Sequence, residues 1–128
     1  MSLQPSNLIE IRRSKGRGRG VFATKFIPQG TIIERVPVIV FPEADLETEE
    51  GFSSLYHYVF DWGKGTVAIA LGYGSVYNHS FSPNARYDDV GQRSKIFTAL
   101  RDIQPGEEIT VNYNGEPNNF APTEFQVV

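Results

Sequence analysis

The sequence predicts a mainly-β, single-domain protein. Short apolar or alternating runs recur along the chain, and turns rich in glycine and proline separate them at close spacing. Helical periodicity is scarce, which argues against a helix bundle or an alternating helix–strand fold. The 128 residues suffice for one domain with one modest core.

Four short strands are predicted in the first part of the chain, at residues 8–12, 21–24, 31–35 and 36–41. The first of them, Leu8–Arg12, alternates apolar and polar residues as a half-buried strand does. A flexible basic loop, Arg13–Gly20, follows it, and Ile27–Gly30 has the composition of a turn. Pro37 indicates a bend or a sheet edge because its nitrogen cannot donate a hydrogen bond.

The rest of the chain begins with an acidic loop, Pro42–Gly51, and an aromatic-rich segment, Phe52–Trp62, that fits one or two helical turns. Further strands are predicted at residues 66–71, 85–87, 95–100 and 109–113. Asp88–Arg93 is a polar loop and Gln104–Glu108 is a tight turn. The tail, Asn114–Val128, is rich in Asn and Pro and gives no clear prediction.

Composition narrows the functional classes. There is no cysteine and there are two histidines, so disulfides and thiolate metal sites are excluded and no metal site is expected. No apolar run approaches the length of a membrane span, and no secretory signal is recognised at the N-terminus. We therefore expect an intracellular protein, without a choice between nucleus and cytoplasm.

The net charge of −3 conceals an asymmetry. Residues 1–35 carry seven Lys or Arg side chains against two acidic ones, a net charge of +5. Residues 36–128 carry five basic and thirteen acidic side chains, a net charge of −8. The acidic part favours a cationic partner and disfavours nucleic acid.

One irregular stretch, Gly72–Ala85, contains an Asn-His-Ser triplet with an aromatic residue on each side of it, and turn formers follow. Ordering such a segment is costly unless it serves a site. A hydrolase with His79 as base and Ser80 as nucleophile is disfavoured because adjacent residues seldom make that contact. The glycine-rich loop Gly16–Gly20 can hold an anion, but it fits neither a P-loop nor a dinucleotide fingerprint.

Three segments together carry a more specific signal: Gly18–Ala23, Gly72–Ala85 and Gly106–Tyr113. In this order and spacing they resemble the SET-domain protein-lysine methyltransferases, over about residues 8–113. The likeness is closest to the minimal viral-type SET proteins, which lack cysteine-rich flanks. The resemblance implies several short twisted sheets and a knot-like threaded C-terminal segment.

The resemblance further implies S-adenosylmethionine as cofactor. The residues that match the family's cofactor-binding positions are Arg17, Gly18, Arg19, Asn78, His79 and Tyr113. In the family, the glycine-bounded loop contributes its backbone, Asn78 its side chain and His79 chiefly its backbone. This role for His79 weakens the idea that it is a catalytic base.

Tyr113 matches the family's catalytic tyrosine, and the substrate would be a lysine-containing protein or peptide such as a histone-like tail. Tyr58 and Tyr73 are candidates for the walls of a lysine channel, because aromatic faces suit a cationic side chain. Val111 stands at a position where many members of the family have Phe or Tyr. In the family, the residue at this position influences the number of methyl groups added. Mono-, di- and trimethylation therefore remain open.

No cysteine-rich segment follows Tyr113, so a zinc-built lid is not expected. Phe120, Phe125 or a partner subunit in a homodimer could close the cofactor site instead. Arg19 also departs from the family, which often has an uncharged residue between these glycines. Two alternatives stay open, a non-catalytic SET-like module that binds cofactor or peptide, and a methyltransferase of a non-histone protein.

Overall fold

The computed structural model of the protein describes residues 6–119. This part of the chain is mainly strand. The bounds are β1 Ile9–Ser14, β2 Gly18–Ala23, β3 Ile32–Pro42, β4 Glu47–Thr48, β5 Gly51–Phe52, β6 Val59–Asp61, β7 Thr66–Ala70, β8 Asn78–His79, β9 Ala85–Val90, β10 Ser94–Ala99 and β11 Glu108–Val111. Two short 3₁₀ helices, Glu43–Leu46 and Ser54–Tyr58, complete it.

The sheet that positions the site has the strand order β1-β2-β11-β8. Strands β1, β2 and β11 pair antiparallel, whereas β8 lies parallel to β11, with Val111 opposite His79. This order brings three distant segments together: the glycine-rich end of β2, the Asn78–His79 pair, and the residues just before Tyr113. The threading of the C-terminal segment stays a prediction.

A second sheet has the order β6-β7-β3-β10-β9, and β3 is its central strand. The first half of β3 pairs with β10 and the second half with β7, and the change of partner falls at Pro37. Proline has no N–H to donate to a strand ladder, and it is tolerated here because it lies at the boundary of the two pairings. Pro37 is opposite Ser94, the first residue of β10, and the pairing with β7 begins only at Val38. The expected bend or edge is therefore a change of partner within one long strand.

The core lies between the sheets. Among its fully buried members are Val21, Ile27, Phe97, Ile103 and Ile109, each 0% exposed. Burying side chains of this size stabilises the fold by about 1.5–3 kcal/mol each. Ile27 and Ile103 also pair through an isolated antiparallel bridge, which ties the turn before β3 to the turn before β11.

Three predicted loops contain regular structure. The basic loop Arg13–Gly20 is mostly strand, because β1 continues to Ser14 and β2 begins at Gly18, where φ is +77°. The predicted polar loop Asp88–Arg93 is wrong for its first three residues, since β9 extends to Val90. The acidic loop Pro42–Gly51 contains the first 3₁₀ helix and the β4–β5 pair. In each case pairing with a neighbouring strand overrides the local polar composition.

The aromatic-rich segment does form a short helical turn, Ser54–Tyr58. The Ser53 hydroxyl caps it by accepting a hydrogen bond from the Leu55 N–H at 3.2 Å. The rings of Phe52 and Tyr56 stack with centroids 4.6 Å apart. Among residues 6–119 no helix is long and apolar enough to cross a membrane.

Candidate active site

Tyr113 is held at both its backbone and its hydroxyl. Its N–H donates to Nδ1 of His79 at 2.9 Å, and its hydroxyl donates to the Tyr77 carbonyl at 2.8 Å. Burial raises the pKa of Tyr113, and the nearby Arg17 charge opposes this shift. The phenol is therefore protonated near neutral pH and acts as a hydrogen-bond donor with a defined direction.

His79 is a buried residue, 2% exposed, on β8. Because its Nδ1 accepts from the Tyr113 N–H, the neutral ring carries its proton on Nε2. Burial, and then the charge of Arg17, lowers the pKa of His79. In the part of the chain that the structure describes, no hydrogen-bond partner faces Nε2. His79 therefore orients Tyr113 and has no free lone pair with which to act as a base.

The predicted cofactor residues come together through two reciprocal contacts. The Asn78 amide donates to the Arg19 carbonyl at 3.0 Å, and the Arg17 guanidinium donates to the His79 carbonyl at 3.0 Å. These contacts join segments 59 and 62 positions apart in the sequence. The Gly18 loop and the Asn78–His79 strand thus form one cluster.

Glu108 also belongs to this cluster, although sequence reasoning placed it only at the end of a tight turn. Its carboxylate accepts hydrogen bonds from the Ser14 hydroxyl at 2.8 Å and from the Asn78 amide at 2.7 Å. Gly20 provides the room, because a side chain there would collide with Glu108 and come within 2.9 Å of the Asn78 amide nitrogen. The repeated glycines of β2 were the available signal for this close approach.

A cavity of about 470 Å³ opens beside Tyr113. Of the predicted substrate residues, Tyr58 and Val111 line it, and Tyr58 is 54% exposed. Tyr87 also lines it, and its hydroxyl donates to the Tyr113 carbonyl at 3.3 Å. An aromatic-walled opening of this kind accommodates the aliphatic stem of a lysine and its cationic head.

Tyr73 is not among the residues that line this cavity, whereas Tyr77 is. Tyr73 is half-buried and packs against the core, and its N–H donates to Glu34 at 3.4 Å. Both tyrosines belong to the turn segment after β7, and Tyr77, four residues further along, is the one that lines the cavity. Spacing within an irregular segment does not show which of two nearby tyrosines has this position.

The cavity also contacts a caged lysine. Lys95 is 1% exposed, and its ammonium forms an ion pair with Asp89 at 2.5 Å. The rings of Phe60, Tyr87 and Trp62 surround Nζ at 4.2, 4.5 and 5.1 Å from their centroids. Burial lowers the pKa of Lys95, and the Asp89 carboxylate opposes this shift. No local pattern predicts this cage, because in the sequence Lys95 looks like an ordinary strand residue.

Within residues 6–119, no group of three or more His, Cys, Asp or Glu side chains is arranged so that it could hold a metal ion. Phe120 and Phe125, which were candidates to close the cofactor site, lie outside the described residues.

Comparison with known families identifies the fold. The family model named SET domain matches residues 18–114 of the sequence, which include all three motif segments. The chain belongs to the SET-domain family. The mainly-β fold class and the resemblance to the SET-domain family are thereby confirmed, and the closer likeness to the viral-type proteins stays a prediction.

This chain is also similar to named proteins over most of its length. A Schizosaccharomyces pombe protein named histone-lysine N-methyltransferase, H3 lysine-37 specific, is 36% identical over 106 residues, which cover 82% of this chain and 72% of that protein. Another S. pombe protein, named for H3 lysine-9, is 36% identical over 92% of this chain but only 27% of its own length. A Plasmodium falciparum crystal structure described as a histone methyltransferase superimposes with a TM-score of 0.67 at 31% identity, over 87% of this chain and 95% of that one.

Proposed function

We propose that this chain is an S-adenosylmethionine-dependent protein-lysine N-methyltransferase that acts on a histone tail. The observation that carries the proposal is the position of Tyr113, at the junction of the aromatic cavity and the glycine–Asn78–His79 cluster. The family and the names of its relatives support the same activity class. The histone substrate rests on those names, because the cavity itself selects a lysine and not a particular protein.

The residues of the cluster fit the cofactor. SET methyltransferases generally use S-adenosylmethionine, which supplies an electrophilic methyl group on a sulfonium. The backbone of Arg17, Gly18 and Arg19, the Asn78 side chain and the His79 backbone would hold it. Two features support this fit: the glycine at position 20 leaves room for Asn78 and Glu108 within the cluster, and the buried Nε2 of His79 has no partner within residues 6–119.

The acceptor must arrive as a neutral amine. A free lysine has a pKa near 10.4, so its deprotonation at pH 7 costs about 4–5 kcal/mol. Desolvation in the cavity and a nearby positive charge both lower that pKa. His79 has no free lone pair to serve as the base, because its Nδ1 is occupied by the Tyr113 N–H. The protein therefore contributes mainly by desolvating and orienting the amine.

Oxygen atoms around Tyr113 would orient the reacting groups. The phenol oxygen and the Tyr77 carbonyl are 2.8 Å apart, so they present partial negative charge at one place. Fixed dipoles of this kind stabilise developing charge without reorganisation during the reaction. The cavity walls, including Tyr58 and Val111, would align the lysine stem.

Labelled methyl transfer tests this proposal, with histone H3, a ribosomal-protein mixture and the chain itself as acceptors. We expect transfer to H3, and we expect Tyr113→Phe to lower the rate by about 100-fold or more. Calorimetry on the same variant should still detect cofactor binding, which shows that the loss lies in the transfer step. Transfer only to the ribosomal proteins would support the non-histone alternative, and cofactor binding without any transfer would support a non-catalytic module.

The intracellular location expected from the sequence stays a prediction, and the closure of the cofactor site by a partner subunit in a homodimer stays one alternative. A direct measurement of solution mass would decide the oligomeric state.

A further inference from the structure

The catalytic hydroxyl depends on a segment that has little regular support. Tyr113 donates to the backbone carbonyl of Tyr77, and Tyr77 ends the turn that runs from the end of β7 to the start of β8. Leu71 N–H donates to the Pro37 carbonyl at 3.1 Å at the start of the turn. Between Gly72 and Tyr77 the described backbone hydrogen bonds are local, from Gly74 N–H to the Leu71 carbonyl at 3.1 Å and from Val76 N–H to the Tyr73 carbonyl at 3.0 Å. The direction of the Tyr77 carbonyl therefore needs a tertiary anchor.

Glu34 supplies an anchor at both ends of this turn. It projects from β3 and is 6% exposed. One carboxylate oxygen accepts the Tyr77 hydroxyl at 2.9 Å, and the other accepts the Tyr73 N–H at 3.4 Å. The Tyr77 ring also stacks on Phe97, with centroids 4.4 Å apart. Side chain and ring packing together fix the residue whose carbonyl holds Tyr113.

A buried carboxylate is a costly way to support a turn. Among residues 6–119, no Lys, Arg or His forms a salt bridge with Glu34, so its partners are a hydroxyl and an amide. An apolar side chain of similar size would often stabilise such a position better. Glu34 makes a directed hydrogen bond with the Tyr77 hydroxyl, which an apolar residue could not make.

We infer that Glu34 is a positioning residue for methyl transfer, acting through the Tyr77 side chain to aim the Tyr77 carbonyl at the Tyr113 hydroxyl. This inference rests on the proposed function. Glu34 itself does not line the cavity, so it acts on the rate of transfer and not on the binding of either substrate.

The test compares Glu34→Gln, Tyr77→Phe and the double variant in steady-state methyl transfer. Tyr77→Phe is the sharper change, because it keeps the backbone carbonyl that Tyr113 uses and removes only the anchor. We expect each single variant to lower kcat by about 3- to 10-fold, the effect of one hydrogen bond. KM for cofactor and for peptide should stay unchanged in Glu34→Gln, since Glu34 does not line the cavity, and kcat of the double variant should fall no further than that of the worse single variant.

Ile27→Val is the matched control for simple destabilisation, since Ile27 is 0% exposed and lies outside the cavity lining. It should lower the melting temperature with no change in kcat. The inference is overturned if the two anchor variants behave like this control, if their effects on kcat are additive, or if KM of Glu34→Gln changes instead. Absence of transfer by the wild-type chain would instead overturn the proposed function, so the two failures are distinguishable.

Discussion

At the scale of single residues, the site depends on side chains that fix backbone groups. Nδ1 of His79 binds the Tyr113 N–H, the Asn78 amide binds the Arg19 carbonyl, and Arg17 binds the His79 carbonyl. These contacts join segments that are far apart in the sequence. A side chain that holds backbone in this way sets geometry for its neighbours, and its removal disturbs more than one contact.

Asn78→Ala should weaken cofactor binding by about tenfold, equivalent to roughly 1.4 kcal/mol. The variant removes the amide that joins the β2 loop to Glu108, so the cradle loosens. Isothermal calorimetry with S-adenosylmethionine measures the change. Asn7→Ala, at an exposed position away from the cluster, is the control and should bind normally. Equal affinities for the two variants would remove Asn78 from the set of cofactor residues.

At the scale of elements, the turn between β7 and β8 packs closely against the end of β7 at Gly74. Gly74 in this turn is buried and lines the cavity. A Cβ there would lie 2.5 Å from the Ala70 Cβ, 3.2 Å from the Leu71 carbonyl and 3.3 Å from the Phe97 ring. The Leu71 carbonyl is a backbone group and the Ala70 Cβ is attached directly to the backbone, so neither can move without shifting the main chain. The glycine is therefore required for close packing of the turn on its own strand.

Gly74→Ala should lower the free energy of unfolding by about 1–3 kcal/mol through overpacking. Urea denaturation measures this loss. The double variant Ala70→Gly with Gly74→Ala removes the nearest colliding atom and should recover part of the stability. An unchanged urea midpoint for Gly74→Ala, or no recovery in the double variant, would contradict this account of the turn.

At the scale of the whole molecule, one sheet assembles the cofactor cluster and the other contributes part of the cavity walls. The first contributes β2, β8 and β11, and the second contributes β6, β9 and β10 with the caged Lys95. Tyr113 lies where they meet. The packing of the two sheets therefore couples the site to global stability, and buried titratable groups make that stability depend on pH.

His79 should make the protein less stable in mild acid. Its pKa is lowered in the folded state, so the unfolded chain binds the proton more tightly. The stabilisation is complete above the ordinary value of 6.5 and is lost as the pH falls below it. Burial raises the pKa of Glu34, which works in the opposite direction because its contribution decreases as the pH rises.

The contribution of His79 is isolated by comparing the wild type with His79→Asn, whose side-chain oxygen can replace Nδ1 as an acceptor without titrating. Urea unfolding at pH 7.5, 6.5 and 5.5 should show a smaller acid loss in the variant. Ile27→Val should lower stability by the same amount at every pH. Parallel pH profiles for wild type and His79→Asn would show that His79 does not cause the acid loss.

Local chemistry in the sequence predicted a large part of this protein. Alternating apolar residues identified most of the strands, and Gly and Pro located the turns at Ile27–Gly30 and Gln104–Glu108. Three ordered motifs were enough to predict the family, which the match over residues 18–114 confirms. They also predicted a lysine methyltransferase, the class named in the relatives. These features depend on neighbours within a few residues or on motif order, which a linear sequence displays.

Only the tertiary structure decided which side chains meet. Glu34 reaches Tyr77 across 43 positions, and Tyr77 lines the cavity, a position that the sequence predicted for Tyr73. The cage of Lys95 and the contacts of Glu108 arise in the same way, from strands that become neighbours only when the sheets form. Polar contacts over such separations depend on sheet order and register, and the local patterns that specify single strands do not encode them.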